Sequence, residues 1–362
     1  MKKLLLTIIS SLLLLSGCQS KQMEPYDFTS IKLGFDTVIS FRAYCENEAE
    51  FEQYKEVLSE GYLEYDQIFS KYNDFEGNVK ALNEQAGTTV KVHPEIISLL
   101  KYAKEYQALT NNQFDVTMGS LLSIWHHYRE QAATQEIYQI PTNDELSNAK
   151  DKRGWEHIEI NEKESTVCLK SIDISLDLGG IAKGYATQKI AEKLEAMGLK
   201  HGFINAGGNV VVIGAKPDNS PIRVGLQIPD KTNLQTNSLM SISIDQRMSF
   251  VTSGNYQRYY EVDGEIYHHI IDPDTSMPAN FFDSVTIITP DSTMADALST
   301  AFFNMSLKEG YQLLQQLKND GLEIDVIWVS KEPFESYEHL SSTTSEGYHI
   351  TYSDTLEAKI AK

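Results

Sequence analysis

The chain is poor in the residues that most catalytic and binding classes require. Three cysteines occur in 362 residues, and neither Cys45 nor Cys168 lies in a ligand or redox spacing. That argues against a zinc cage, a reactive dithiol or a disulfide scaffold. No Gly-x-Ser-x-Gly elbow appears, so a hydrolase triad lacks its nucleophile. Neither standard phosphate cradle, G-x-G-x-x-G or G-x-x-x-x-G-K-[ST], is present. Positive charge is scarce too: 31 Lys and Arg stand against 51 Asp and Glu, a formal net charge of −20. Such a surface repels phosphate backbones, so nucleic acid is not an expected partner, and any anionic substrate needs local cations. Long apolar runs are absent except for Leu4 to Leu15, which is too short to span a bilayer comfortably.

That run follows Lys2 and Lys3 and precedes Ser16-Gly17-Cys18, the layout of an exported leader. The leader resembles the lipobox of bacterial lipoproteins, in which the cysteine thiol is acylated and becomes the mature N-terminus. Residues 1–17 are therefore expected to be a signal peptide. Residues 18–30 are expected to be a lipidated start and polar tether, anchoring the protein to the cell membrane on the side facing away from the cytoplasm. Cys45 and Cys168 can pair in an exported protein, but two buried single thiols are the expectation.

The remaining chain exceeds the roughly 250–300 residues of a single core, so one large domain with subdomains, or two intimate ones, is expected over 31–335, followed by a C-terminal strand and tail over 336–362. β-branched and aromatic residues from Ile31 to Tyr44 predict a strand. Phe51, Tyr54, Leu58, Tyr62, Tyr65 and Phe69 then mark one stripe of a long helix. Pro94 suits a helix start, and Thr142 with Glu145 forms a capping box. A loop at Asp177 to Gly180 feeds a helix ending near Gly198. Short alternating strands dominate the second half, with a hairpin signal at Asp263-Gly264. The sum is an α+β protein with mainly antiparallel sheets packed with helices.

Three stretches offer chemistry. In "MADALSTAFF" Asp296 and Thr300 stand one helical turn apart on an otherwise apolar segment. A carboxylate and a hydroxyl aimed at one point suit Mg²⁺, although a threonine can also bond back to its own helix. In "DLGGIAKGYA" the glycines permit close backbone approach, the next helix offers free N–H groups to an anion, and Lys183 adds a positive charge; a turn using glycines for packing is the alternative. In "YHHIIDPDT" His269 can serve as a general base or a structural histidine. The His126-His127 pair is expected at the surface or in packing.

Taken in order, "FDTVIS", "FSKYND", "NNQFDVTMGSLLSIW", "DLGGIAKGYA", "INAGGNV", "VTSGNYQRYY", "HHIIDPDTSMP" and "MADALSTAFF" resemble the ApbE family over roughly Ile31 to Ser330. The resemblance implies a T-fold-like α+β architecture and a Mg²⁺-dependent flavin transferase. Such an enzyme cleaves FAD, attaches FMN by a phosphodiester to a Thr or Ser of an acceptor flavoprotein, and releases AMP. It further implies that Phe35, Tyr72, Gln113, Phe114, Asp115, Asp177, Lys183 and Ile270 contact the nucleotide. Gly180, through its carbonyl, joins Asp296 and Thr300 around Mg²⁺, and His269 activates the acceptor hydroxyl. Phe35 stands where many members carry Met. Two other readings use the same residues: a Mg²⁺-dependent FAD pyrophosphatase and a non-catalytic flavin-binding lipoprotein.

Overall fold

A computed structural model describes residues 23–230 and 237–361. The leader and Cys18 lie outside the described residues. The chain opens with β1 (Glu24–Ser30), β2 (Ile39–Cys45), α1 (Glu48–Phe69), α2 (Val79–Glu84), β3 (Thr89–Lys91), α3 (Pro94–Leu109), α4 (Gly119–Gln135) and α5 (Asn143–Lys150). After β4 (Ile158–Asn161) and β5 (Thr166–Leu169) comes α6 (Ala182–Ala196), then β6 (Gly202–Ala206), β7 (Asn209–Gly214), β8 (Ile222–Gln227), β9 (Ser238–Ile244) and β10 (Met248–Gly254). The last third holds β11 (Tyr259–Val262), β12 (Glu265–His268), β13 (Ser284–Thr289), α7 (Ser292–Asn304), α8 (Leu307–Asn319), β14 (Asp325–Ser330), β15 (Leu340–Ser345) and β16 (Tyr348–Ser353).

Nine strands form one sheet in the order β1-β2-β6-β7-β10-β13-β14-β16-β15, and every neighbouring pair is antiparallel. Successive side chains of its central strands point to opposite faces, and both faces are covered. Val211, Val251, Ile287 and Val326 pack toward the helices, while Val212, Phe250, Ile288 and Ile327 pack under the β8–β9 hairpin and a 3₁₀ turn at Asp354–Lys359. Double coverage explains why all six residues of "SVTIIT" and the middle four of "DVIWVS" are buried instead of alternating with exposed ones.

The local signals hold where they depend on local physics. The α1 stripe is core except for half-buried Tyr65. Thr142 and Glu145 close their capping box, His93 caps α3 ahead of Pro94, and Asp263-Gly264 turns the β11–β12 hairpin with both residues left-handed. Cys45 and Cys168 are both free, Cys45 buried as expected and Cys168 only half-buried.

Three expectations change. The polar tether ends early, because Glu24–Ser30 is the edge strand β1, fully paired with β2; its exposed charged side chains hide a strand whose backbone is what pairs. The strand expected from Ile31 starts only at Ile39, since Gly34, Phe35 and Asp36 are all left-handed and break any extended run. The C-terminal segment is no appended tail: β16 pairs with β14, and β15 closes the far edge of the same sheet.

Candidate active site

A cleft of about 510 Å³ opens between the end of α1, the start of α4, the loop into α6, the end of β10 and one face of α7. Every candidate nucleotide, metal and base residue lines it: Phe35, Tyr72, Gln113, Phe114, Asp115, Asp177, Gly180, Lys183, His269, Ile270, Asp296 and Thr300. They converge from segments spread across most of the chain.

Helix α7 starts at Asp291, whose Oδ1 accepts the N–H groups of Thr293 at 2.7 Å and Met294 at 3.0 Å. One turn further, Asp296 is only 5% exposed and its Oδ2 accepts the Gly184 N–H at 2.7 Å. That contact requires glycine: a Cβ on Gly184 would lie 2.3 Å from the Ser292 carbonyl and 2.5 Å from Asp296 Cβ. The preceding loop closes on the same helix, with the Cβ position of Gly180 3.3 Å from Thr300 Oγ1. Glycine loop, carboxylate and hydroxyl therefore meet. Thr300 forms no back-bond to its own helix among the described residues.

Burial pushes the Asp296 carboxyl above its usual range, and the Lys183 charge, the Gly184 N–H and the nearby Asn209 amide offset only part of that. Asn209 Nδ2 is itself buried without a well-aligned partner, so it polarises Asp296 without closing a hydrogen bond on it. Burial also lowers Lys183, with Asp296 opposing the shift and Arg258 adding to it. One buried carboxylate and one hydroxyl a helical turn apart, beside the glycine loop, fit Mg²⁺, which keeps several waters and takes substrate phosphate oxygens. Among the described residues no group of three or more His, Cys, Asp or Glu forms an all-protein cage.

Asp177 pairs with Lys71 at 2.7 Å, both largely enclosed. Burial alone would raise Asp177, but Lys71 and the Gly179 N–H outweigh it and hold the carboxyl below its usual range. His269 sits just past β12, with its own N–H bonded to the Arg258 carbonyl at 3.1 Å. Its side chain is pushed down to about 3, first by burial and then by the charges of Arg258, His268, Arg129 and Lys183. The imidazole is thus neutral at physiological pH, and its Nδ1 has no hydrogen-bond partner.

Asp115 is committed to structure as well as to the wall. Its Oδ1 accepts the Thr117 N–H at 2.8 Å and the Thr117 hydroxyl at 2.6 Å, capping a short 3₁₀ turn. Gln113 is clamped by a donor bond to Asp274 Oδ2 at 2.8 Å, while its Oε1 is buried and unpartnered. Phe35 presents its backbone to Asp66 at 2.6 Å and packs its ring edge-on against Tyr62. Tyr72 is 55% exposed at the rim, and its ring lies 5.2 Å from that of His126.

His126 corrects the sequence reading, because it lines the cleft instead of the surface. Lys71, Arg129 and Arg258 were also overlooked as wall residues. Lys71 and Arg258 stand inside the "FSKYND" and "VTSGNYQRYY" blocks, and a basic residue within a motif of so acidic a chain was the available signal.

Residues 35–324 match the ApbE family. The chain belongs to this family. A relative named FAD:protein FMN transferase in Treponema pallidum is 32% identical over 269 residues, covering 70% of this chain and 72% of its own. One of the same name in Klebsiella pneumoniae is 29% identical over 273 residues, covering 73% and 80%. Among solved structures, the ApbE protein of Thermotoga maritima superposes with a TM-score of 0.77 at 29% identity, covering 94% of this chain and all of that one. The apo flavinyl transferase ApbE of Pseudomonas stutzeri shares the fold with a TM-score of 0.71 at 22% identity, covering 92% and 97%. The ApbE fold is thus the frame that gathers these residues.

Proposed function

We propose that the chain is a Mg²⁺-dependent FAD:protein FMN transferase that uses a Thr or Ser hydroxyl of an acceptor protein. The observation that carries this reading is the convergence of Gly180, Asp296 and Thr300 beside Lys183 and a neutral His269 in one cleft. Gly180, Asp296 and Thr300 would hold Mg²⁺, which when bound screens the diphosphate oxygens and makes the phosphorus more electrophilic. Tyr72 at the exposed rim and Phe114 in the cleft wall would contact the nucleotide. His269 takes the proton of the incoming hydroxyl as its oxygen attacks the phosphorus of the FMN half. The bond from that phosphorus to the bridging oxygen breaks, and AMP leaves with the electron pair. Lys183, in the cleft beside Asp296, would add positive charge for the oxygens that gain charge in this step.

A neutral His269 has a lone pair to accept a proton, and the negative charge of a bound dinucleotide would raise its proton affinity from the low value that burial and the surrounding cations set. Acylated Cys18 would hold the domain at the outer face of the cell membrane. Incubation with FAD, Mg²⁺ and a candidate acceptor provides the test. A mass gain of one FMN on an acceptor Thr or Ser, with AMP released, is expected; free FMN and AMP without acceptor mass gain would identify an FAD pyrophosphatase instead. Indifference to chelation, with FAD retained intact, would identify a non-catalytic binder.

A further inference from the structure

Lys71, Arg129, Lys183 and Arg258 all line the cleft, yet they are of two kinds. Lys71 is spent on Asp177, and Lys183 is opposed by the charge of Asp296. Arg129 and Arg258 form no ion pair among the described residues. Arg258 Nη2 makes only long contacts to the carbonyls of Phe35 at 3.4 Å and Asp36 at 3.5 Å. Arg129, half-buried on α4, donates from Nη2 to His126 Nδ1 at 2.9 Å.

That last bond is informative. A guanidinium only donates, so His126 must accept through Nδ1 and remain a neutral imidazole. Burial, Arg129 and Lys71 all disfavour its protonation. A neutral acceptor aims the guanidinium and leaves its charge whole, whereas a carboxylate in the same place would cancel it. The two arginines lie close enough for Arg258 to depress Arg129, and both depress His269. In a chain with 51 acidic residues, two guanidiniums that line one cleft and form no ion pair among the described residues mark a place kept for an external anion.

We propose that Arg129 and Arg258 clamp the diphosphate bridge of the bound dinucleotide, and that His126 is the positioning residue that aims Arg129 without neutralising it. The proposal rests on the flavin-nucleotide reading above and adds residues to its site. Planar forked donors match phosphate oxygens in a way that a point-charge ammonium does not.

The test is equilibrium binding, read as quenching of flavin fluorescence in the purified full-length chain at fixed Mg²⁺, with FAD and with riboflavin, which has no phosphate. R129Q and R258Q should each weaken FAD by about tenfold or more, the worth of a charged hydrogen bond, and leave riboflavin within about twofold. H126N retains a neutral acceptor and should stay within about threefold of wild type for FAD, whereas H126D supplies a counter-charge and should weaken FAD as R129Q does. If an arginine variant does not fold, the contrast between H126N and H126D decides. FAD binding unchanged in R129Q or H126D, or riboflavin weakened in step with FAD, overturns the clamp alone. A wild-type chain that binds no FAD overturns the transferase reading with it.

Discussion

Replacing Asp296 with Asn tests the proposed metal site at almost no steric cost. Asn retains an oxygen for the Gly184 N–H but offers a cation no anionic ligand. In the metal-free protein the wild-type carboxyl lies above its usual range because of burial. A carboxyl whose folded pKa exceeds its unfolded value stabilises the fold below the unfolded pKa and loses that contribution as pH rises through the folded one. At neutral pH ionised Asp296 is therefore a liability, and metal-free D296N should melt at or above wild type. Mg²⁺ should reverse the order. At a hundred times its Kd a bound ion contributes about 2.7 kcal/mol. An unfolding entropy of about 2.1 cal/mol/K per residue gives about 0.7 kcal/mol/K for roughly 330 ordered residues, so wild type should gain about 4 °C and D296N less than about 1 °C. Loss of several kcal/mol of transition-state stabilisation should cut FMN transfer by about 10³-fold. Scanning fluorimetry with Mg²⁺ and with chelator, beside a fluorescent-gel assay of flavin transfer, reads all three quantities. Equal Mg²⁺ shifts in the two proteins, or transfer surviving in D296N, would refute the assigned ligand.

His269→Gln should retain FAD binding and lower the transfer rate by about 10²- to 10⁴-fold, the usual worth of a general base; an unchanged rate removes that role. Its pKa of about 3 against an ordinary 6.5 means that the unfolded chain binds the extra proton, so this residue costs stability as pH falls from about 6.5 toward 3. Urea unfolding should accordingly depend less steeply on pH in H269Q than in wild type over that window, and parallel curves would contradict the burial argument. Gly184→Ala should force α6 from α7 and destabilise by about 1–3 kcal/mol in urea titrations; a neutral effect would mean that the two helices are not held at the observed approach. Lys71→Met strands Asp177 and should cost about 3–5 kcal/mol, with K71M/D177N recovering part of it; equal losses in both variants would deny the pair.

Helices α1, α3 and α5 were legible because an amphipathic stripe, Pro94 and a capping box act within a few residues of themselves. The cleft residues were legible through motif order, and Asp296 stood out because a carboxylate on an apolar helix needs a reason. Strand β1 was not legible, because a paired edge strand is recognised by its partner and Glu24–Ser30 carries charged, exposed side chains. The same holds for the place of His126 in the cleft: Arg129 is its neighbour one turn along α4, but Lys71 and Tyr72 reach it from the segment after α1.

Composition and motif order alone determined the α+β class, the acidic surface and the short set of residues able to handle a nucleotide. Tertiary structure decided which of the scarce cations are already neutralised, which carboxylate is buried beside Gly184, and why His269 is uncharged. Those properties arise from distance and desolvation between residues far apart in the chain, and no local pattern encodes them.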